Sequence, residues 1–212
     1  MALRRRSIAL ILLGGWCVSS ASSQVIEFES GGLKYQTLTK EGLTIMFAHL
    51  PPQIREYNIL QVAVSNGSSR TAKIRPEDFQ IETGGGVVIQ AVPALHVINQ
   101  LVRNASADDV VKLVTTYEMG LYGLARIRST NGYEQRRQAA LAFTSSRRLK
   151  AAAAASAIAF VETELSPGDT TDGAVFYPTF GRPVGAARVR AYVDSLLFEF
   201  RPWDPVGVQR EK

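Results

Sequence analysis

Reactive and metal-ligating side chains are scarce in this chain of 212 residues, which carries one cysteine and two histidines. The cysteine, Cys17, lies in an N-terminal stretch that reads as a removable leader. From residue 24 onward no thiol remains for a disulfide, a thiolate nucleophile or a zinc cluster. His49 ends an apolar run beside Pro51-Pro52, and His96 falls in the first turn of a helix-like stretch. Neither has the closely spaced His, Cys or acidic neighbours that a metal site needs, so each reads as a solvated or hydrogen-bonded histidine. The nucleophile-elbow pattern Gly-x-Ser-x-Gly and the zinc pattern His-Glu-x-x-His are both missing. The nearest approaches to paired carboxylates are Asp108-Asp109 and Glu162 with Glu164. They read as the start of a helix and the outer face of a strand rather than as a glycosidase pair. A catalyst is therefore not expected, a hydrolase ranks third among the functional readings, and no cofactor or metal is anticipated.

Long apolar runs are missing too. The longest, Ile8 to Trp16, is about half of the roughly 20 residues that a spanning helix needs. It follows Met-Ala-Leu-Arg-Arg-Arg and precedes small residues up to Ser23, the three-part layout of a secretory signal peptide cut before Gln24. Arg5-Arg6 is ordinary content for such a leader rather than a twin-arginine signal. A bacterial lipoprotein would carry a small residue before its lipidated cysteine, where this chain has Trp16, so Cys17 reads as part of the discarded segment. Removing three arginines and no acid takes the formal charge from +5 to +2. The remaining chain, 24–212, is the length of one domain.

The chain from Asn58 to Arg75 organises the rest. Leu60, Val62 and Val64 alternate with Gln61, Ala63 and Ser65 as in a half-buried strand. Asn66-Gly67-Ser68-Ser69 supplies turn chemistry, and Ala72 and Ile74 alternate in a second strand, which predicts a hairpin. Before it, Val25–Phe28, Leu33–Leu38 and Leu43–Phe47 read as strands, the last ended by Pro51-Pro52. After it, Gly84-Gly85-Gly86 joins Phe79–Glu82 to Val87–Ile89. No Gly-Lys-Ser or Gly-Lys-Thr follows, so these glycines read as a hairpin turn rather than a phosphate loop.

At Pro93 the spacing becomes helical, with Leu95, Ile98, Leu101 or Val102, and Ala105 in step. Ser106 followed by Asp108 and Asp109 marks a second helix start, with Val110, Leu113, Val114, Tyr117 and Leu121 forming its stripe. Glu134 to Ala159 is rich in helix formers and predicts one continuous helix. Strand character resumes at Phe160–Leu165. Ser166-Pro167-Gly168-Asp169 has the order of a type II turn, and Ala174–Tyr177 is the next strand. Arg188 to Phe200 reads as one long strand whose buried positions change from odd to even near Ser195, which a β-bulge would explain.

Strands, then helices, then strands predict a mainly β fold: a β-sandwich with halves at 24–90 and 160–200 and a helical insertion at 93–159. The alternative is an α+β domain with helices packed on one antiparallel sheet. Val64-Ser65-Asn66-Gly67-Ser68, Pro76-Glu77-Asp78-Phe79, Leu165-Ser166-Pro167-Gly168-Asp169 and Gly173-Ala174-Val175-Phe176 together resemble exported bacterial immunoglobulin-like domains of unknown function. That resemblance implies an immunoglobulin-like sandwich in which the Pro-Gly turn and the Gly-x-Val-Phe strand form a closing hairpin. It carries over no functional residues. It also implies a bacterial source, in which Asn66-Gly67-Ser68 and Asn104-Ala105-Ser106 are turn and cap chemistry rather than glycan acceptors.

One charge anomaly stands out. Between Arg126 and Lys150 seven basic residues face a single acid, Glu134, a local +6 against about −4 for the rest of the mature chain. On one helix at ~100° per residue, Arg136, Arg137, Arg147, Arg148 and Lys150 share an arc of about 160°. Such an arc is a solvated face or an anion-binding surface for an envelope protein, a polysaccharide or an anionic lipid headgroup. No aromatic residues interleave with the arginines, so nucleic acid is not expected. The chain therefore reads first as an exported, periplasmic or extracellular, non-enzymatic interaction module. An assembly accessory that accepts a strand at a free sheet edge ranks second. Sequencing the N-terminus of the exported protein is expected to return Gln24 as its first residue; a chain still beginning at Met1 would overturn the leader assignment.

Overall fold

A computed structural model describes residues 24–123, 146–180, 182 and 184–203, and within them the chain is mainly β with three helices. In chain order the strands up to the helices are β1 (Ile26–Ser30), β2 (Leu33–Lys40), β3 (Leu43–Ile54), β4 (Tyr57–Asn66), β5 (Ala72–Ile74), β6 (Phe79–Thr83) and β7 (Val88–Gln90). The helices are α1 (Ala94–Asn104), α2 (Ala107–Gly123) and α3 (Arg147–Ile158). Then come β8 (Thr163–Leu165), β9 (Thr170–Pro178), β10 (Ala187–Val193) and β11 (Leu196–Glu199).

The first four strands form an antiparallel meander, and β9 joins β4 to give a five-stranded sheet in the order β1-β2-β3-β4-β9. Gly31-Gly32 and Glu41-Gly42 take positive φ at both central positions, the geometry that suits two-residue hairpins. Facing this sheet is a four-stranded one, β11-β10-β6-β7, and β5 pairs with β8 alone. Leu38, Ile45, Phe47, Leu60, Val62 and Val64 meet Phe79, Ile81, Val189, Ala191 and Phe198 in one apolar cluster between the sheets, so the arrangement is sandwich-like.

The five-stranded sheet is covered on its other face as well. Leu50, Ile59, Ala63 and Phe176 pack there against Val97 and Leu101 of α1, Leu113 of α2 and the alanines of α3. Ala151, Ala152, Ala154, Ala155 and Ala157 are all buried, and their small side chains let α3 approach its neighbours closely. This second layer corrects the reading of β4 as a half-buried strand. Nine of its ten residues are buried, and Gln61 on the helix side is satisfied by the Tyr35 hydroxyl, which donates at 3.1 Å. Burial pushes the Tyr35 phenol up to about 12.

Four further expectations change. Pro51-Pro52 does not end β3: the strand runs on to Ile54, with the pairing to β4 shifting register between Leu50 and Ile54, an irregularity where prolines are tolerated. Asn58 to Arg75 is not a hairpin, because β4 pairs with β3 and β9 whereas β5 pairs with β8. By the same pairing, the Pro-Gly turn does not close a hairpin; it joins β8 in one sheet to β9 in another. The turn itself forms, with Asp169 N–H donating to Ser166 O and Gly168 at φ +87. Lastly, Arg188 to Phe200 is no bulged strand. Asp194 and Ser195, at φ +46 and +67, make a two-residue turn, so Val193 faces Leu196 and Ala191 faces Phe198. A two-residue hairpin swaps odd for even positions just as a bulge does.

The first two helix starts hold as read. Pro93 precedes α1, and Ser106 caps α2 through a reciprocal box: Asp109 N–H donates to the serine Oγ while Ser106 N–H donates to the Asp109 carboxylate at 2.7 Å. Gly84-Gly85-Gly86 turns β6 into β7 as expected. The single helix predicted over 134–159 does not hold: Ser146 is extended, at φ −80 and ψ 130, and α3 begins only at Arg147. The arc drawn through Arg136, Arg137, Arg147, Arg148 and Lys150 on one helix is broken there, while residues 124–145 lie outside the described residues.

The two sheet-to-sheet passages, β4 to β5 and β8 to β9, run side by side and are joined by Asn66, which is fully buried. Its amide nitrogen donates to Arg70 O at 2.7 Å and Leu165 O at 2.8 Å, and its oxygen accepts from Ser68 N–H and Oγ. Its own N–H donates to Asp169 O, and its carbonyl accepts from Gly168 N–H. With this amide enclosed and committed, the Asn66-Gly67-Ser68 triplet is turn chemistry. Asn66→Ala is expected to cost about 2–4 kcal/mol of unfolding free energy, since it orphans the buried Leu165 carbonyl and removes the bonds to Arg70 O and Ser68 that hold the other passage. Exposed Ser69→Ala should fall within about 0.5 kcal/mol of the parent. Urea titration measures both, and a loss below about 1 kcal/mol for Asn66→Ala would refute the role given to it.

Candidate functional site

The structure places the predicted basic residues in two groups. Arg136 and Arg137 lie outside the described residues. Arg147, Arg148 and Lys150 occupy the first turn of α3, all exposed, with exposed Leu149 between them. This end of the helix has no acid in its first turn, and Ser146 at the N-cap makes no side-chain hydrogen bond to the free amides. Three cations thus surround the end of a helix where the backbone dipole already presents positive charge. That arrangement is unfavourable in isolation and is relieved by a negative group.

The carboxylates noted in the sequence are engaged elsewhere. Asp109 is buried, closes the cap of α2 and lies 3.2 Å from Arg55 Nη2. Asp108 pairs with Lys112 one turn on at 2.9 Å. Glu162 meets Lys73 at 2.6 Å across the β5–β8 ribbon, where Glu164 stands directly opposite the same lysine. Among the described residues no group of three or more His, Cys, Asp or Glu is placed to hold a metal ion, and no helix is long and apolar enough to cross a membrane.

Two clusters escaped the sequence reading because residues far apart in the chain assemble them, one by helix packing and one by strand register. The first ties the β3–β4 turn to the helices. Arg55 donates to the Asn104 carbonyl at the end of α1, Tyr57 OH donates to Gln100 Oε1 at 3.0 Å, and Gln100 Nε2 donates to Glu56 at 2.7 Å. The second lies at one end of the sandwich interior. Asn58 is buried, donates to Thr179 Oγ1 and accepts from Gln53 Nε2. His49 contacts it, and Tyr177 stands opposite it on β9. The Trp203 ring lies 6.3 Å from that of His49. His49 Nε2, Tyr177 OH and Trp203 Nε1 are enclosed with no hydrogen-bond partner among the described residues. Burial pushes the Tyr177 phenol up strongly and the His49 imidazole down, the Asn58 contact opposing the latter. His96, by contrast, is exposed on α1.

No protein-family model matches the chain, and no curated protein matches it. Among solved structures it is similar to the crystal structure of the yjhA protein from Bacillus subtilis, at 8% identity over 79% of this chain and 77% of that one, with a TM-score of 0.31. A likeness at that level carries neither fold nor function.

The depressed pKa of His49 has a defined consequence for stability. The folded chain holds the imidazole neutral, whereas the unfolded chain protonates it near pH 6.5. The stabilisation is complete above that value and is lost as the pH falls through the lower, folded-state pKa. Unfolding free energy is therefore expected to drop between pH 7 and pH 5, and His49→Gln should flatten that part of the profile. Denaturant titrations at each pH give the slope, and an unchanged slope in the variant would assign the acid sensitivity to another group.

Proposed function

We propose that this protein is a non-catalytic interaction module of the cell envelope that holds an anionic partner at the N-terminal end of α3. The observation that carries the reading is the placing of Arg147, Arg148 and Lys150, all exposed, around a helix end with no acidic residue and no side-chain cap. A helix start is favoured by Asp or Glu in its first turn and by a bonded capping hydroxyl, whereas here the Ser146 hydroxyl makes no cap bond and the first turn carries cations. Arg136 and Arg137 precede this end of α3 in sequence and add to the positive charge of the segment. The partner is an acidic polysaccharide, a lipid headgroup or an acidic protein of the envelope, met at the surface. The alanine face of α3 packs inside the protein and offers nothing large and apolar for insertion into lipid.

Export belongs to the same proposal and rests on the leader-like residues 1–23. So does an immunoglobulin-like relationship, which draws support from the two facing antiparallel sheets, while the four-strand meander β1 to β4 departs from a Greek key. A non-enzymatic role is supported by the engagement of the noted carboxylates in caps and ion pairs.

Charge reversal tests the reading. The purified protein is expected to bind vesicles containing phosphatidylglycerol, or a polyuronate, in preference to phosphatidylcholine or a neutral glucan, and to release them at about 0.5 M salt. Arg147→Glu with Arg148→Glu and Lys150→Glu should weaken binding by about tenfold or more, with the circular dichroism spectrum unchanged. Binding that survives both salt and reversal would sink the proposal.

A further inference from the structure

A second surface of opposite character lies at the far edge of the five-stranded sheet. Strand β1 ends the order β1-β2-β3-β4-β9, paired to β2 from Ile26↔Thr37 to Ser30↔Leu33, and no described strand pairs with its other side. The opposite edge of the same sheet is already occupied. At β9, Val92 N–H donates to Phe176 O and Phe160 N–H donates to Ala174 O, so the chain flanking the helices covers it.

Edge strands normally carry a device that discourages pairing, such as a proline, charged side chains, a bulge or a short span, and in β1 the charges are those of Glu27 and Glu29. Ile26–Ser30 has no proline, no lysine and no positive φ, and its pairing to β2 runs without a register shift. Its side chains alternate cleanly. Ile26 and Phe28, 60% and 40% exposed, share one face, and Phe28 stacks on Tyr35 with ring centroids 5.3 Å apart. Glu27 and Glu29 share the other face and are exposed. The edge therefore offers a ladder of backbone groups, an apolar row and an acidic row.

We infer that β1 accepts an added strand from an extended polypeptide segment in which apolar residues alternate with lysine or arginine. Backbone pairing supplies the register, the apolar residues extend the row of Ile26, Phe28 and Tyr35, and the basic residues stand across from Glu27 and Glu29. The same charges argue against a second copy of this chain. Any antiparallel pairing of two β1 strands that keeps apolar faces together also sets glutamates beside glutamates, which is repulsive. The inference is independent of the basic end of α3, because it concerns another element and a partner of the opposite charge.

Three labelled peptides test it by fluorescence anisotropy against the purified protein: an alternating Val/Lys heptapeptide, its Val/Glu counterpart, and the Val/Lys sequence N-methylated at every second residue. The Val/Lys peptide is expected to bind about tenfold or more tightly than the Val/Glu peptide, and the N-methylated form should lose binding. Glu27→Lys with Glu29→Lys, both at exposed positions, should invert the preference. Hydrogen exchange at residues 26–30 should slow when the Val/Lys peptide is bound. Equal binding of the N-methylated peptide, an unaltered preference in the double variant, exchange protection confined to other segments, no binding of the Val/Lys peptide, or a stable dimer through β1 would each overturn the inference.

Discussion

Two segments of chain ninety-nine residues apart turn the same corner together, and the Asn66 side chain is what joins them. A strand that leaves one sheet for another strips backbone groups of their ladder partners at the point of departure, and buried groups of that kind must be paired some other way. Asn66 does it with one amide, donating to a carbonyl on each passage and accepting from Ser68. The turn between β2 and β3 packs directly beneath. Gly67 N–H donates to Gly42 O, and a Cβ at Gly42 would sit 2.9 Å from the Ser68 backbone, a position already at φ +83. Only glycine fits there. With both passages held, β4 and β9 stay in one sheet while β5 and β8 leave it, and the apolar residues of both chain halves meet in a common interior.

What the residues reveal on their own follows from which of these constraints are local. The hairpin closed by Gly84-Gly85-Gly86 was readable, because turn residues and flanking strand residues lie within one short window. Both helix starts were readable for the same reason, Pro93 and Ser106 being local signals. Asn66-Gly67-Ser68-Ser69 misleads, since turn chemistry is the same whether a strand folds back within its sheet or passes to the next; the choice is made by β8 and by Leu165 O, far along the chain. The second buried face of β4 is equally non-local. Gln61 and Ala63 look like a solvent face until the helix layer is laid over that side of the sheet. At Asp194-Ser195 the parity swap was visible, but a bulge and a two-residue hairpin produce the same swap, and only the positive φ at both residues separates them. The cluster of His49, Asn58 and Thr179 left no trace in the sequence, because only the β3–β4 and β4–β9 registers bring it together.

The two candidate surfaces differ in what holds a partner, and ionic strength distinguishes them physically. At the N-terminal end of α3 the attraction is between exposed charges, with a helix dipole added, and such terms fade over a Debye length of about 10 Å at 0.1 M salt. At β1 the charges of Glu27 and Glu29 select the partner, but the ladder of backbone hydrogen bonds and the row begun by Ile26 and Phe28 supply cohesion that salt does not screen. The anionic partner proposed for the helix end would therefore be released as salt rises, whereas the basic strand proposed for the sheet edge would be held largely by terms that salt leaves in place. The two proposed contacts, one screened by salt and one not, lie on separate elements of opposite charge, so that neither proposed partner would compete for the other's site.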